Sequence, residues 1–372
     1  MLYIHIPFCK SRCTYCNFFS TTLLGKRKKY VDALLKQFPD KPYSTIYIGG
    51  GTPSMLDADD LKRLLKECNR HVKGGEFTME CNPDDVTEEM AALLHDCGVN
   101  RVSLGIQTSS NDRLKLINRR HSAEKAREAI ALLRAHNINN VSIDLMFGFP
   151  GETLEDWQYD ISEAIRLSPS HISAYCLSIE EDTALDRMLQ AGKLPPLPSE
   201  TTLESMYYTL CSALKEVGYE HYEISNFALP GCHSRHNSGY WQDKSYDAIG
   251  AGAHGYDKEE RRRYWNICDV EEYIARTHAG ESVVEDSEDI DAITHYNDLI
   301  TTALRTSRGL SSDYIKNSCT PPLYDYFMKT TRRLADTHLV ETFREDGETR
   351  VRLSPSKLFV SDDILSELVY VK

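Results

Sequence analysis

The sequence predicts an α/β protein: a partial, open (β/α)6 TIM-like barrel followed by a C-terminal mixed α+β, winged-helix-like domain. Two observations carry this. Short runs rich in Val, Ile, Tyr and Phe alternate with amphipathic helical stretches through six units of the first half. From about residue 290 the order becomes helix, helix, hairpin, helix. Strand–helix alternation implies parallel strands joined by right-handed crossovers. Six consecutive units favour an open barrel, although a doubly wound sheet has the same periodicity.

The strands are expected at Leu2–Ile6, 45–48, 76–80, Arg101–Gln107, 141–146 and 171–178. Helices are expected near 27–37, 57–70, 87–97, 122–136 and 153–167. The second of these puts Leu61, Leu64 and Leu65 on one face, with Asp57 as N-cap. Gly98 after the third is a C-cap signal. Gly192-Lys193-Leu194-Pro195-Pro196-Leu197-Pro198 reads as a linker or long loop. A helix over 200–217 comes next, and then a Gly- and aromatic-rich irregular region over 219–268. The late hairpin pairs 339–343 with 349–353 about Glu345-Asp346-Gly347-Glu348. These breaks divide the chain into a core over 1–190, an extension completing it over 191–285, and a C-terminal domain over 286–372. A winged helix raises the idea of a DNA-reading wing, but nothing in it is strongly basic, and packing against the barrel is the expected role.

The 372 residues are 41% hydrophobic and 27% charged, which is ordinary globular composition. A net charge of −13 argues against nucleic acid or anionic membrane as a non-specific partner. No apolar run reaches the ~20 residues of a membrane span. Met1 leads straight into Leu2-Tyr3-Ile4-His5, so no signal peptide is expected and the cytoplasm is the expected location. Eleven cysteines there should be reduced. Eight are scattered singly (Cys68, Cys81, Cys97, Cys176, Cys211, Cys232, Cys268 and Cys319), as small apolar residues usually are. Cys9, Cys13 and Cys16 instead crowd into eight residues after the first strand.

Three thiolates on one short loop wrap one face of a metal centre. A structural zinc wants four closed ligands, for which His5 is the available fourth. That reading makes the chain a zinc-stabilised scaffold without redox chemistry. The better reading is a 4Fe-4S cluster with three irons held by cysteine and one left for a substrate, shielded by Tyr15 and Phe18. Barrel chemistry sits at the C-terminal ends of strands. There the sequence offers Gly49-Gly50-Gly51-Thr52-Pro53, Glu80, Gln107 with Arg119 further on, and Asp144. The glycines let backbone approach a ligand, and no Lys-Ser/Thr comes after them to make a phosphate loop. One polar strand end is more often a satisfied structural group; four in succession point to a shared pocket. Gly250-Ala-Gly252-Ala-His254-Gly255 matches G-x-G-x-x-G, but the next residues, Tyr256-Asp-Lys-Glu-Glu-Arg, open no apolar-faced helix, so it reads as a tight backbone approach and not an NAD site.

With its flanks Tyr3-x-His5-Ile6-Pro7-Phe8-Cys9, the triplet resembles the signature of the radical S-adenosylmethionine (SAM) superfamily. The branch it resembles contains oxygen-independent coproporphyrinogen III oxidase and the HemW-type haem chaperones. The resemblance implies that the free iron chelates the methionine part of SAM and that an electron from the cluster cleaves the C5′–S bond to give a 5′-deoxyadenosyl radical. It places SAM binding on Tyr3, Gly50, Gly51, Thr52, Glu80, Gln107, Arg119 and Asp144, and on Ser178 at the end of the sixth strand. Carboxylates suit ribose hydroxyls and the methionine ammonium, and Arg119 suits its carboxylate.

His236-Asn237-Ser238-Gly239-Tyr240-Trp241 resembles the His-Asn-x-x-Tyr-Trp segment of the haem-chaperone branch. By itself it reads as a core histidine in an aromatic cluster. With the resemblance, His236, Asn237, Tyr240 and Trp241 become candidate haem contacts, and Cys232, His233 and His254 compete for the iron. The oxidase branch has a further cysteine where this chain has Phe18, and an extension before the residue equivalent to Tyr3. The implied function is a cytoplasmic haem chaperone that binds a 4Fe-4S cluster, SAM and haem and delivers haem to acceptors such as membrane-bound respiratory proteins. Coproporphyrinogen decarboxylation is the alternative. Under the resemblance SAM cleavage is either the gate of haem transfer or a vestige, and a homodimer is a candidate assembly.

Overall fold

The computed structural model describes residues 1–371. The chain opens with β1 (Leu2–Ile6), α1 (Arg27–Gln37), β2 (Tyr43–Gly50), α2 (Ala58–His71), β3 (Val72–Cys81), α3 (Glu88–Asp96) and β4 (Arg101–Gln107). It continues with α4 (Asn111–Leu116), α5 (Ala123–Ala135), β5 (Asn140–Phe147), α6 (Leu154–Leu167) and β6 (His171–Cys176). β1 to β6 are parallel and lie side by side in chain order. This is the expected open (β/α)6 barrel. After α7 (Ala184–Gln190) and α8 (Glu200–Glu216) come β7 (Glu220–Glu223), β8 (Asn226–Ala228), α9 (Arg235–Trp241) and β9 (Asp247–Ile249). β9 extends the sheet beside β1, and β8 and β7 extend it antiparallel beyond β6.

The two faces of the sheet differ in chemistry. Ile4, Ile6, Ile46, Ile48, Phe77, Met79, Val102, Leu104, Ile143 and Ile172 have no exposed surface and form one core with the helices. The alternate positions are polar: Tyr3 aligns with Tyr47, Tyr47 with Thr78, Thr78 with Arg101, Ser103 with Ser142 and Asp144 with Ser173. Parallel strands buried on both faces usually read as continuous apolar runs. Here the concave face is polar, and its groups need partners or water. Ser142 Oγ and Tyr222 Oη meet the two ring nitrogens of His171 at 2.8 and 2.7 Å.

α9 packs on that polar face. The Glu76 carboxylate accepts from the backbone N–H groups of Arg235 and His236 at 2.8 and 2.9 Å, and Ser234 caps the helix through the Asn237 N–H. A carboxylate at a helix N-terminus complements the local dipole. On the other side of the sheet, fully buried Trp157 donates Nε1 to the Met206 carbonyl at 3.0 Å and locks α6 to α8.

The chain then forms β10 (His254–Asp257), β11 (Arg262–Asn266), α10 (Val270–Ala279) and β12 (Val284–Asp289), whose strands make an antiparallel sheet. It ends with α11 (Ala292–Ala303), β13 (Leu310–Ser311), α12 (Ser312–Ser318), α13 (Pro321–Asp336), β14 (Val340–Glu345), β15 (Glu348–Leu353) and α14 (Ser361–Leu368). That is the winged-helix order, built around a second apolar cluster from Tyr296 to Leu368. Asp243 ties this part to the core: it accepts from Tyr256 on β10, Tyr314 on α12 and His295 on α11 at 2.8, 2.7 and 3.2 Å. Although burial works the other way, these hydrogen bonds hold the Asp243 carboxyl well below its usual range.

Several local expectations change. The stretch read as irregular, 219–268, carries β7 to β11 and α9, stitched together by long-range pairings. Asp57 stands at the N-cap but its side chain does not cap; its carboxylate pairs with Arg27 at 3.0 Å. Gly98 comes after α3 with φ +85°, as a C-cap glycine should. β6 stops at Cys176, short of the expected 178. α4 and α7 are elements the sequence pattern does not predict. The hairpin is longer at the turn, with only Asp346 and Gly347 between its strands and both at positive φ, a turn whose twist suits antiparallel strands. Among the described residues no helix is long and apolar enough to cross a membrane.

Candidate functional site

The loop after β1 carries Cys9, Cys13 and Cys16, and all three thiols face one cleft of about 440 Å³ at the C-terminal ends of the strands. The loop has no regular structure and is held from outside. Cys9 N–H donates to Thr21 O at 2.9 Å, Thr14 N–H to Ile117 O at 3.2 Å, and Leu185 N–H, at α7, to Thr14 O at 2.9 Å. Asn118 Nδ2 donates to Arg12 O at 2.8 Å. Burial raises the Cys9 and Cys16 thiols. Among the described residues no three His, Cys, Asp or Glu side chains converge tightly enough for a single ion. His5, the fourth ligand of a zinc reading, faces a neighbouring cavity instead of the cysteines. An iron–sulfur cluster gives each thiolate its own iron, so three separated thiols around one cleft suit it better.

The strand-end residues come together around the same cleft. Gly50, Gly51, Thr52, Glu80, Gln107, Arg119 and Asp144 all line it. Thr52 Oγ1 donates to Cys9 Sγ and Arg119 Nη1 to Cys13 Sγ, both at 3.7 Å. Arg119 Nη2 also donates to the Gly105 carbonyl, while its Nε is buried without a partner. Glu80 accepts from Tyr47 Oη at 2.8 Å and from Gly50 N–H at 3.1 Å. Burial, with Asp144 nearby, pushes the Glu80 carboxyl up to about 7. Burial also raises Asp144, which Ser103 Oγ holds at 3.2 Å. Gly50 has φ +112°, and a Cβ there would lie 2.4 Å from the His5 ring, so the turn accepts only glycine. Gly250 of the G-x-G-x-x-G match instead packs on β1, where a Cβ would meet the His5 carbonyl oxygen at 2.6 Å.

Two expected residues lie elsewhere. Tyr3 lines the adjoining cavity, which shares Phe18, Gly50 and Glu80 with the cleft. Ser178 is exposed beyond the end of β6, and its hydroxyl donates to Glu180 at 2.9 Å. Ser173 and Tyr175 of β6 reach the cleft instead. Sequence reasoning also missed Arg101, 1% exposed at the cleft floor, and Tyr47.

The His-Asn-x-x-Tyr-Trp segment is α9, and its four candidates separate. Asn237 lines the cysteine cleft. Tyr240 lines the adjoining cavity, and Trp241 lines a groove toward the C-terminal part with its Nε1 buried and unpartnered. His236 is 1% exposed, with Nδ1 on Thr45 Oγ1 and Nε2 on Tyr240 Oη, each at 2.8 Å, and its ring against Tyr47. Burial drives the imidazole down to about 3. With both nitrogens engaged, His236 has no lone pair free for iron.

The family model of the radical SAM superfamily matches residues 3–164. The chain is 34% identical over 352 residues to the haem chaperone HemW of Bacillus subtilis (strain 168), covering 91% of this chain and 92% of that protein. It is 39% identical over 279 residues to the HemW of Lactococcus lactis subsp. lactis (strain IL1403), 73% of each chain. Its fold matches the solved coproporphyrinogen III oxidase (HemN) of Escherichia coli with a TM-score of 0.83 at 20% identity, covering 99% of this chain and 89% of that one. A cysteine-lined cleft on an open barrel, and kinship along almost the whole length, lead to one conclusion: the chain belongs to the HemW haem-chaperone family of the radical SAM superfamily.

Proposed function

We propose that this protein is a cytoplasmic haem chaperone that carries a 4Fe-4S cluster on Cys9, Cys13 and Cys16, binds SAM beside it, and binds haem and delivers it to acceptor proteins. The observation that carries the reading is the 91% coverage by a HemW relative, joined to a cleft that holds three thiols and a polar strand-end layer together. When bound, the cluster supplies one electron to the SAM sulfonium. The chain's own residues do the positioning. The Arg119 guanidinium, already on Cys13, offsets thiolate charge and offers its unpartnered Nε to a carboxylate. Glu80 and Asp144 face ammonium and hydroxyl groups across the cleft, and Arg101 beneath them offsets part of the repulsion between the two carboxylates.

The test is titration of haem into the anaerobically reconstituted full-length protein, with a subsequent assay for coproporphyrinogen III decarboxylation. Haem binding without decarboxylation is expected. Decarboxylation at enzymatic rates would replace the chaperone reading with the oxidase one, and colourless protein carrying stoichiometric zinc would end both.

Glu80 makes SAM binding depend on pH. Its ionised form attracts cationic SAM, and the carboxyl ionises only toward about 7. SAM affinity should therefore rise with pH and level off above that point, falling by up to about tenfold per unit below it. Glu80→Gln should flatten the curve. Equilibrium dialysis of the cluster-loaded protein between pH 5.5 and 8 reads this; the same slope in both proteins would remove Glu80 from the site.

A further inference from the structure

We propose that haem occupies the cavity of about 740 Å³ beside the cysteine cleft, with His254 as the axial ligand to its iron. This rests on the reading that the protein binds haem, and it moves the ligand away from His236. The cavity lies where the barrel mouth meets α11 of the C-terminal part, and its size is in the ordinary range for small-molecule sites. Its walls are strongly aromatic: Phe18 and Phe19 from the cysteine loop face Tyr240 and Tyr246, which meet edge to face at 4.7 Å. Phe18 is 73% exposed, an apolar ring with no protein partner covering it. A flat, largely apolar ligand fits such walls.

An iron ligand must present a reachable lone pair. The four histidines near this end differ on that point. His236 uses both nitrogens. His233 binds Glu220 at 2.7 Å and stacks on Tyr222. His5 has an unpartnered Nε2, but it is buried against Gly50. His254 is exposed in the cavity, and among the described residues its ring accepts and donates no hydrogen bond; it only approaches Trp265, with centroids 6.1 Å apart. Cys268 also faces the cavity as the competing ligand, and thiolate-bound haem is told from imidazole-bound haem by its spectrum.

The charged groups agree with this orientation. Haem carries two carboxylates. Lys244 lines the cavity with no acidic partner among the described residues, and Arg263 lines it with a buried, unpartnered Nε. The acidic groups there are already engaged: Glu80 accepts from Tyr47 Oη and Gly50 N–H, Asp298 pairs with Arg263 at 3.4 Å, and Asp243 accepts from Tyr256, Tyr314 and His295. Because Gly50, Glu80 and Phe18 belong to both walls, haem here lies directly beside the SAM cleft.

The experiment titrates ferric haem into anaerobically reconstituted wild type and His254→Ala, read by the Soret band and electron paramagnetic resonance. Wild type is expected to give the Soret band and axial high-spin signal of a haem with one imidazole ligand. His254→Ala should bind at least tenfold more weakly with a Soret band moved toward that of haem without a protein ligand, keep its far-ultraviolet circular dichroism, and regain the wild-type spectrum with added imidazole. Wild-type affinity and spectrum in His254→Ala would overturn the proposal, as would loss of binding that appears in His233→Ala instead. Wild type that binds no haem would bring down the functional reading and this inference with it.

Discussion

Cys13→Ala should leave the anaerobically reconstituted protein without brown absorption, its iron and sulfide at background. Three cysteines supply every protein ligand the loop offers, and no fourth thiol lines the cleft except Cys81. Cys81 is 4% exposed, and burial pushes its thiol well above the usual range, so it cannot stand in as a thiolate. Losing the middle ligand removes one of three attachments from a centre held on a single loop. The fold should survive, because Cys13 belongs to none of the apolar clusters and the loop is anchored by backbone bonds at Cys9 and Thr14. Cys68→Ala is the control. Cys68 has no exposed surface, in α2, and its loss should lower stability while leaving the colour intact. Iron content equal to wild type in Cys13→Ala would disprove the ligand assignment.

His236→Ala should lower the free energy of unfolding by about 3–5 kcal/mol, a large part of the ~5–15 kcal/mol a folded chain has. The imidazole spans two hydroxyls on the concave face, Thr45 Oγ1 and Tyr240 Oη. Removing it leaves the buried Thr45 hydroxyl unpaired at about 1–3 kcal/mol, frees the half-buried Tyr240 hydroxyl, and opens a void against Tyr47. Urea unfolding monitored by circular dichroism reads the loss. A decrease below about 1 kcal/mol would mean that the two hydroxyls find other partners easily. Haem spectra sharpen the outcome: the folded variant should keep the wild-type imidazole-ligated signature, because the helix it anchors supplies Tyr240 to the cavity wall and not the ligand. Loss of the imidazole-ligated signature in folded His236→Ala would return the ligand to this residue.

The barrel was legible because its outward faces repeat Ile, Val, Leu and Phe at every second position, from Leu2 to Ile172. The cysteine loop and strand-end residues were legible because they fall directly after those runs. Arg101 and Tyr47 were written just as openly, in the polar alternation Arg101-x-Ser103-x-Gly105 and Thr45-x-Tyr47-x-Gly49, but strands read only for apolar content conceal it. α4 and α7, six and seven residues long, are too short to show a period, yet their ends hold the cysteine loop. The setting of His236 in an aromatic cluster was legible, with Tyr240 four residues on. Its second ring partner, Thr45, lies 191 residues away, and only the folded topology shows that both ring nitrogens are spoken for.

Phe18 has a consequence for the timing of transfer. Its ring is 73% exposed on the edge between the two cavities. Covering such a ring is worth about 2 kcal/mol, or roughly thirtyfold in a dissociation constant. In the proposed site, haem seated against it would give that back on leaving into water, and an acceptor whose surface covered Phe18 as the porphyrin departed would restore the same burial. The proposal therefore predicts haem loss that is slower in solution than in contact with a partner.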